Sequence, residues 1–170
     1  FDLSSIAKGY SVQLIHEYLL KNNLNNHLID IGGEVIINGN IHGNSWKVGI
    51  QDPSSYSDKP IYIIENSNKY LSIATSGEYR NFIVLDNGKT ISHTINPETL
   101  NSISSNVSSV TVVHENSATY ADAYATALNV MGGLEAMNFA NKNDIALMLS
   151  FLNDGEVVLK FSNKWYDLEL

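Results

Sequence analysis

Tyr120-Ala121-Asp122-Ala123-Tyr124-Ala125-Thr126-Ala127-Leu128 is rich in alanine and holds neither glycine nor proline, so it predicts a helix. A step of four residues puts the Asp122 carboxylate and the Thr126 hydroxyl on one face of that helix. Two oxygen ligands one turn apart suit a hard cation such as Mg²⁺, which takes one or two protein oxygens and fills its other positions with water and substrate phosphate. A second reading stays open here, in which Asp122 complements the positive end of the helix dipole and Thr126 packs inward.

Immediately upstream of this helix, Val107 to His114 alternates toward a strand through Val110, Val112 and Val113. Downstream, Gly132-Gly133 marks the helix end, a short helix follows over about Leu134 to Asn141, and Ile145 to Leu149 resumes apolar strand character. Asn153-Asp154-Gly155 predicts a hairpin into Val157 to Phe161, and Trp165 to Leu170 ends the chain.

The first half reads the same way. From Ser5 to about Lys21, apolar residues recur at Ile6, Tyr10 and Leu14, and at Val12, Ile15 and Leu19, which is helical spacing. Asp2, Ser4 and Ser5 are candidate N-caps. Gly9 in the first turns costs helix stability, so it marks a close approach by another backbone, by a ligand or by a packed helix. Then come a short buried strand, His27 to Ile31, a bulge or sharp bend at Gly32-Gly33, and a second strand from Glu34 to Ile37.

After the turn Asn38-Gly39, strands are predicted at Trp46 to Ile50, Ile61 to Ile64, Tyr70 to Ala74 and Phe82 to Leu85. Asp86-Asn87-Gly88 turns the last of these into Lys89 to Ile95. Between strands, Thr75 to Asn81 is small and polar, hence an exposed connection or one that faces a ligand. His93 near the hairpin's end is a structural or a catalytic histidine. Strands outnumber helices and adjoin one another in hairpins, so the class is α+β with a largely antiparallel sheet.

Composition narrows the chemistry. A chain of 170 residues with 44% hydrophobic content fits one domain with a real core. Eighteen acidic residues against ten basic give a formal charge of −8, which argues against nucleic acid and anionic lipid as partners. A phosphate-bearing ligand then needs a metal or main-chain donors. Without cysteine there is no disulfide, thiolate metal site or cysteine nucleophile. No apolar run is long enough to span a membrane, and the opening residues lack a signal-peptide layout. The abrupt start at Phe1-Asp2-Leu3 reads as a fragment of a longer protein.

Taken in order, Asp2-Leu3-Ser4-Ser5-Ile6-Ala7-Lys8-Gly9-Tyr10, Ile31-Gly32-Gly33-Glu34, Thr75-Ser76-Gly77-Glu78-Tyr79-Arg80-Asn81, Ser92-His93-Thr94-Ile95-Asn96-Pro97 and Ala121-Asp122-Ala123-Tyr124-Ala125-Thr126 resemble motifs of the ApbE family of flavin transferases. The resemblance covers the C-terminal portion of such a protein over residues 1–170, with the N-terminal part of the family domain absent. It implies an ApbE-like, T-fold-like domain and transfer of FMN from FAD, with Mg²⁺, to a threonine or serine hydroxyl of a flavin-acceptor protein, releasing AMP.

By the same resemblance Asp122, Thr126 and the main-chain oxygen of Ser5 are the metal ligands. Asp2, Lys8 and Ile95 contact FAD, and His93 and Asp122 carry the catalysis, His93 as base for the acceptor hydroxyl. The implied location is the bacterial periplasm, on an inner-membrane lipoprotein whose anchor is not in this chain. The chain departs from the common family pattern at Ser4-Ser5, Asn96, Leu100 and Ala125. Two alternatives accompany this expectation: an FAD pyrophosphatase yielding FMN and AMP, and a non-catalytic FAD-binding module.

Overall fold

The computed structural model describes residues 2–53, 59–77, 82–84, 90–92, 94–103, 106–153, 156–168 and 170. Helix α1 (Ser4–Lys21) leads into β1 (His27–Ile31), β2 (Glu34–Asn38), β3 (Asn40–Ile41), β4 (Asn44–Ser45), β5 (Lys47–Gln51) and β6 (Pro60–Glu65). Next come β7 (Leu71–Gly77), β8 (Phe82–Val84), β9 (Thr90–Ser92) and β10 (Val107–His114). Helices α2 (Ala118–Met131) and α3 (Gly133–Lys142) precede β11 (Ala146–Asn153), β12 (Glu156–Phe161) and α4 (Asn163–Asp167).

Six of the strands form one sheet in the order β1-β2-β7-β10-β11-β12, and every pairing in it is antiparallel. The α+β class with a mostly antiparallel sheet is therefore what the chain adopts. Because successive side chains point to opposite faces, the central strands supply two cores. Val110, Val112, Leu147 and Leu149 face α2 and α3 and pack on Ala121, Ala125, Leu128 and Ala136. Their sequence neighbours Val113, Ala146 and Met148 face the other way, into a core with Ile50 and Ile64 of the β5–β6 hairpin and Trp165 of α4. Strand β2 is split likewise: Val35 and Ile37 join the Trp165 side, while Ile36 packs with Val12 of α1.

Several local expectations need correcting. Helix α1 buries Gly9, Val12 and His16, whereas Tyr10 and Leu14 are 53% and 46% exposed and Ile15 is exposed too. Spacing identifies a helix but not which of its faces meets the core. Leu3 takes the cap position of α1 without a side-chain cap, and Asp2 Oδ1 instead accepts the Ser4 amide at 2.8 Å. Strand β1 alternates buried and exposed residues as an edge strand, so it is not buried throughout. Gly132 caps α2, but Gly133 already opens α3. The predicted turns at Asp86-Asn87-Gly88 and Asp154-Gly155 lie outside the described residues. Among the described residues, no helix is long and apolar enough to cross a membrane.

Candidate active site

Everything about the site follows from how closely α1 approaches α2. A methyl group built on Gly9 would collide with the Ala118 carbonyl oxygen and stand 2.6 Å from Asp122 Cβ, so only glycine lets the two helices meet here. The approach brings the Gly9 amide to Asp122 Oδ2, to which it donates at 2.8 Å in a buried hydrogen bond. Ser117 starts α2 by accepting the Tyr120 amide, and no acidic residue lies in the first turn. Asp122 is thus past the helix's opening turn, held by the neighbouring helix rather than by its own dipole.

Beside this crossing opens a cleft of about 1050 Å³, lined among others by Asp2, Ser5, Lys8, Ile95, Asp122 and Thr126. These candidates come from the N-terminal end of α1 and the residues just before it, the segment after β9 and the middle of α2, and the fold brings them to one place. Thr126 faces this cleft instead of packing inward. Thr75, Ser76 and Gly77, the end of β7, line it too, so this part of the polar stretch is cleft-facing, while residues 78–81 are outside the described set. His93 also lies outside the described residues.

Its wall beyond β9 is a self-bonded loop. Ile95 bridges to Ser102, the Leu100 amide donates to the Asn96 carbonyl at 2.8 Å, and Asn96 Oδ1 accepts the Glu98 amide at 2.8 Å. Leu100 holds φ near +57°, the left-handed conformation that a glycine adopts without strain, so the leucine follows a glycine-like course.

The electrostatics are one-sided. Asp2, Glu34, Glu98, Asp122 and Glu135 line the cleft, and Lys8 is the one lysine or arginine among its described lining residues. Asp122 is 3% exposed; burial pushes its carboxyl up from the ordinary value, opposed by the Gly9 amide and the Lys8 charge. Burial pushes Glu34 up as well, opposed by Lys8 and reinforced by the negative charge of Asp122. Hydrogen bonds from the Ser4 hydroxyl and amide hold exposed Asp2 below the usual carboxylate range.

Crowded, partly desolvated carboxylates favour a bound cation, whose charge reverses the local penalty. Asp122 has one oxygen on the Gly9 amide and the Thr126 hydroxyl in the same cleft. This donor set fits a hard, largely hydrated cation. Among the described residues no group of three or more His, Cys, Asp or Glu side chains is arranged to hold a metal, so a cation here would keep water or ligand oxygens in most positions.

Glu34 has no role that the sequence pattern alone assigns. Its signal was an acidic residue at the head of an apolar strand, directly after two glycines. Those glycines, at φ +61° and +99°, form a two-residue hairpin turn closed by the Ile31–Glu34 pair, the geometry that requires positive φ at both central positions. The bend expected at Gly32-Gly33 is this turn.

Fold and cleft together define an α+β domain with an acidic site suited to a cation and an anionic ligand. The ApbE family model matches residues 1–149, and the chain belongs to the ApbE family. It is 36% identical over 168 residues to the FAD:protein FMN transferase of Haemophilus influenzae, covering 98% of this chain and 48% of that protein. Against the FAD:protein FMN transferase of Vibrio cholerae it is 40% identical over 156 residues, covering 91% and 46%.

Among solved structures, the flavin transferase ApbE from Vibrio cholerae superposes with a TM-score of 0.80 at 34% identity, over 98% of this chain and 52% of that one. The ApbE protein of Thermotoga maritima gives 0.82 at 30% identity, over 100% and 53%. The chain therefore spans about half the length of the curated relatives it matches.

Proposed function

We propose that this chain is the metal- and pyrophosphate-holding part of an FAD:protein FMN transferase. The observation that carries the reading is the convergence of Asp122, Thr126, Ser5, Asp2, Lys8 and Ile95 on one cleft whose charged lining is almost wholly acidic. Such a lining repels a bare dinucleotide and accepts one only with a cation between. Family membership and the activity for which the relatives are named support it.

In this reading Asp122, Thr126 and the Ser5 carbonyl hold Mg²⁺, which when bound supplies Lewis-acid neutralisation of pyrophosphate charge. The Gly9 amide holds Oδ2 of Asp122, a cleft-lining residue, and leaves its other oxygen to the cation. Lys8 offers the ammonium that meets phosphate oxygens, and Asp2 and Ile95 border the rest of the FAD. His93 takes the proton of the acceptor Thr or Ser hydroxyl; the hydroxyl oxygen bonds to the FMN phosphorus, and the bond from that phosphorus to the bridging oxygen breaks, so that AMP leaves.

The test is AMP release from FAD and covalent flavin on an acceptor protein, followed with and without Mg²⁺, using the protein at its natural length. Asp122→Ala is expected to lower both by about 100-fold or more. Flavin labelling that continues at the wild-type rate in Asp122→Ala removes the metal role. Free FMN and AMP with no labelled acceptor assigns a pyrophosphatase instead.

A further inference from the structure

Glu34 is a buried carboxylate to which the chemistry above gives no task. It heads β2 on the sheet face turned toward α1, and its side chain is 4% exposed while that of its partner Lys8 is 47% exposed. Lys8 Nζ stands 2.6 Å from Glu34 Oε2 and also donates to the Gly32 carbonyl at 3.4 Å. Lys8 directly precedes Gly9, whose amide holds Asp122.

The ammonium is therefore within electrostatic reach of two buried carboxylates, and its charge acts on both. Carried on a flexible four-carbon stem, it could serve either. In the structure it is on Glu34.

We propose that Glu34 is a positioning residue that holds the Lys8 ammonium off Asp122, leaving the Asp122 carboxylate free for a divalent cation. The proposal rests on the metal reading given above. An ammonium paired with Asp122 and a divalent cation on the same carboxylate exclude each other by charge and by space. A rival carboxylate, fixed by the tight Gly32-Gly33 turn, keeps the lysine engaged beside the cleft. This gives a reason for an acid where the strand pattern calls for an apolar residue, since a carboxylate so deeply set is costly to bury.

The experiment measures Mn²⁺ affinity, by calorimetry and by the electron paramagnetic resonance of free Mn²⁺, on the protein at its natural length. The wild type, Asp122→Asn, Glu34→Gln, Lys8→Met and the Glu34→Gln/Lys8→Met double variant are compared. Glu34→Gln is expected to bind Mn²⁺ about tenfold more weakly than the wild type, the scale of loss when a partner outside the ligand set is removed. Lys8→Met should bind at least as tightly as the wild type, and the double variant should return to the affinity of Lys8→Met.

A Glu34→Gln protein with wild-type affinity overturns the proposal, as does a double variant as weak as Glu34→Gln alone, which would put Glu34 on the metal itself. If Glu34→Gln does not fold, Lys8→Met still decides: weaker Mn²⁺ binding than wild type overturns the proposal, and equal or tighter binding supports it. A wild type that binds Mn²⁺ no better than Asp122→Asn is the separate result that defeats the metal reading itself.

Discussion

The two faces of the central sheet are built from different materials. Under the helices, the core is rich in alanine, with Ala74, Ala121, Ala125, Ala136 and Ala140 beside Val, Leu and Ile, and the buried acids and histidines, Glu34, Asp122, His16 and His27, lie on this side or at its helix crossing. Opposite, Ile37, Ile64, Met148 and Trp165 fill the space. The buried polar groups there include the neutral hydroxyl pair Ser109 with Ser150 at 2.6 Å, and buried Thr111, which meets Thr75 at the cleft's edge at 2.9 Å. Small side chains let helices come close enough for a main-chain amide to grip a carboxylate, which leaves room for a site. Large ones fasten the sheet and leave none.

The sharpest way to break this contrast is to damage the fastening face alone. Trp165→Ala should cost about 3–5 kcal/mol of stability in urea unfolding, yet change Mn²⁺ affinity of the folded protein by less than about threefold, because the site is on the other face. An affinity that falls in step with stability would show that the faces are not separable. Gly9→Ala strikes the opposite side. Overpacking against the Ala118 carbonyl is expected to cost about 1–3 kcal/mol and, unlike Trp165→Ala, to weaken the cation site, since it pushes away the amide that holds Asp122.

The smallest effect sharpens the contrast through pH. On the helix side, the Tyr70 hydroxyl donates to Gln13 Oε1 at 3.1 Å, and the same oxygen accepts the Ala118 amide at 3.0 Å. Burial pushes the Tyr70 phenol up to about 12. Its folded value lies above the unfolded value of about 10, so its contribution to stability is complete below pH 10 and fades as pH climbs toward 12. Near pH 10.5 the loss should be under about 1 kcal/mol. Urea midpoints measured against pH should show this loss in the wild type and not in Tyr70→Phe.

Much of this was legible in the residues. Strands β1 and β10 begin and end where apolar patterning and the flanking polar breaks placed them, although β1 alternates in burial where a buried strand was expected. The step from Asp122 to Thr126 gave one helix face, and both residues do border the cleft. Other features needed contacts that no local pattern carries. The inward face of α1 is Gly9, Val12 and His16 because α2 and β1 demand small and hydrogen-bonding groups there, with His16 Nδ1 2.8 Å from His27 Nε2. Helix α4 has five residues, too few for a period to show. Glu34 looked like a strand residue because its meaning lies in Lys8, a partner distant in the chain. Bringing Asp2, Lys8 and Ile95 together rested on family resemblance and not on spacing.

The hydrogen bond from Gly9 to Asp122 joins residues 113 positions apart. That bond exists only once α1 and α2 have packed against each other across the length of chain between them. Half-finished chains thus lack the grip on Asp122 and would bind a cation poorly. On the metal reading proposed above, ligand uptake then serves as a certificate of completed folding, and an ion bound there would stabilise the native form by mass action.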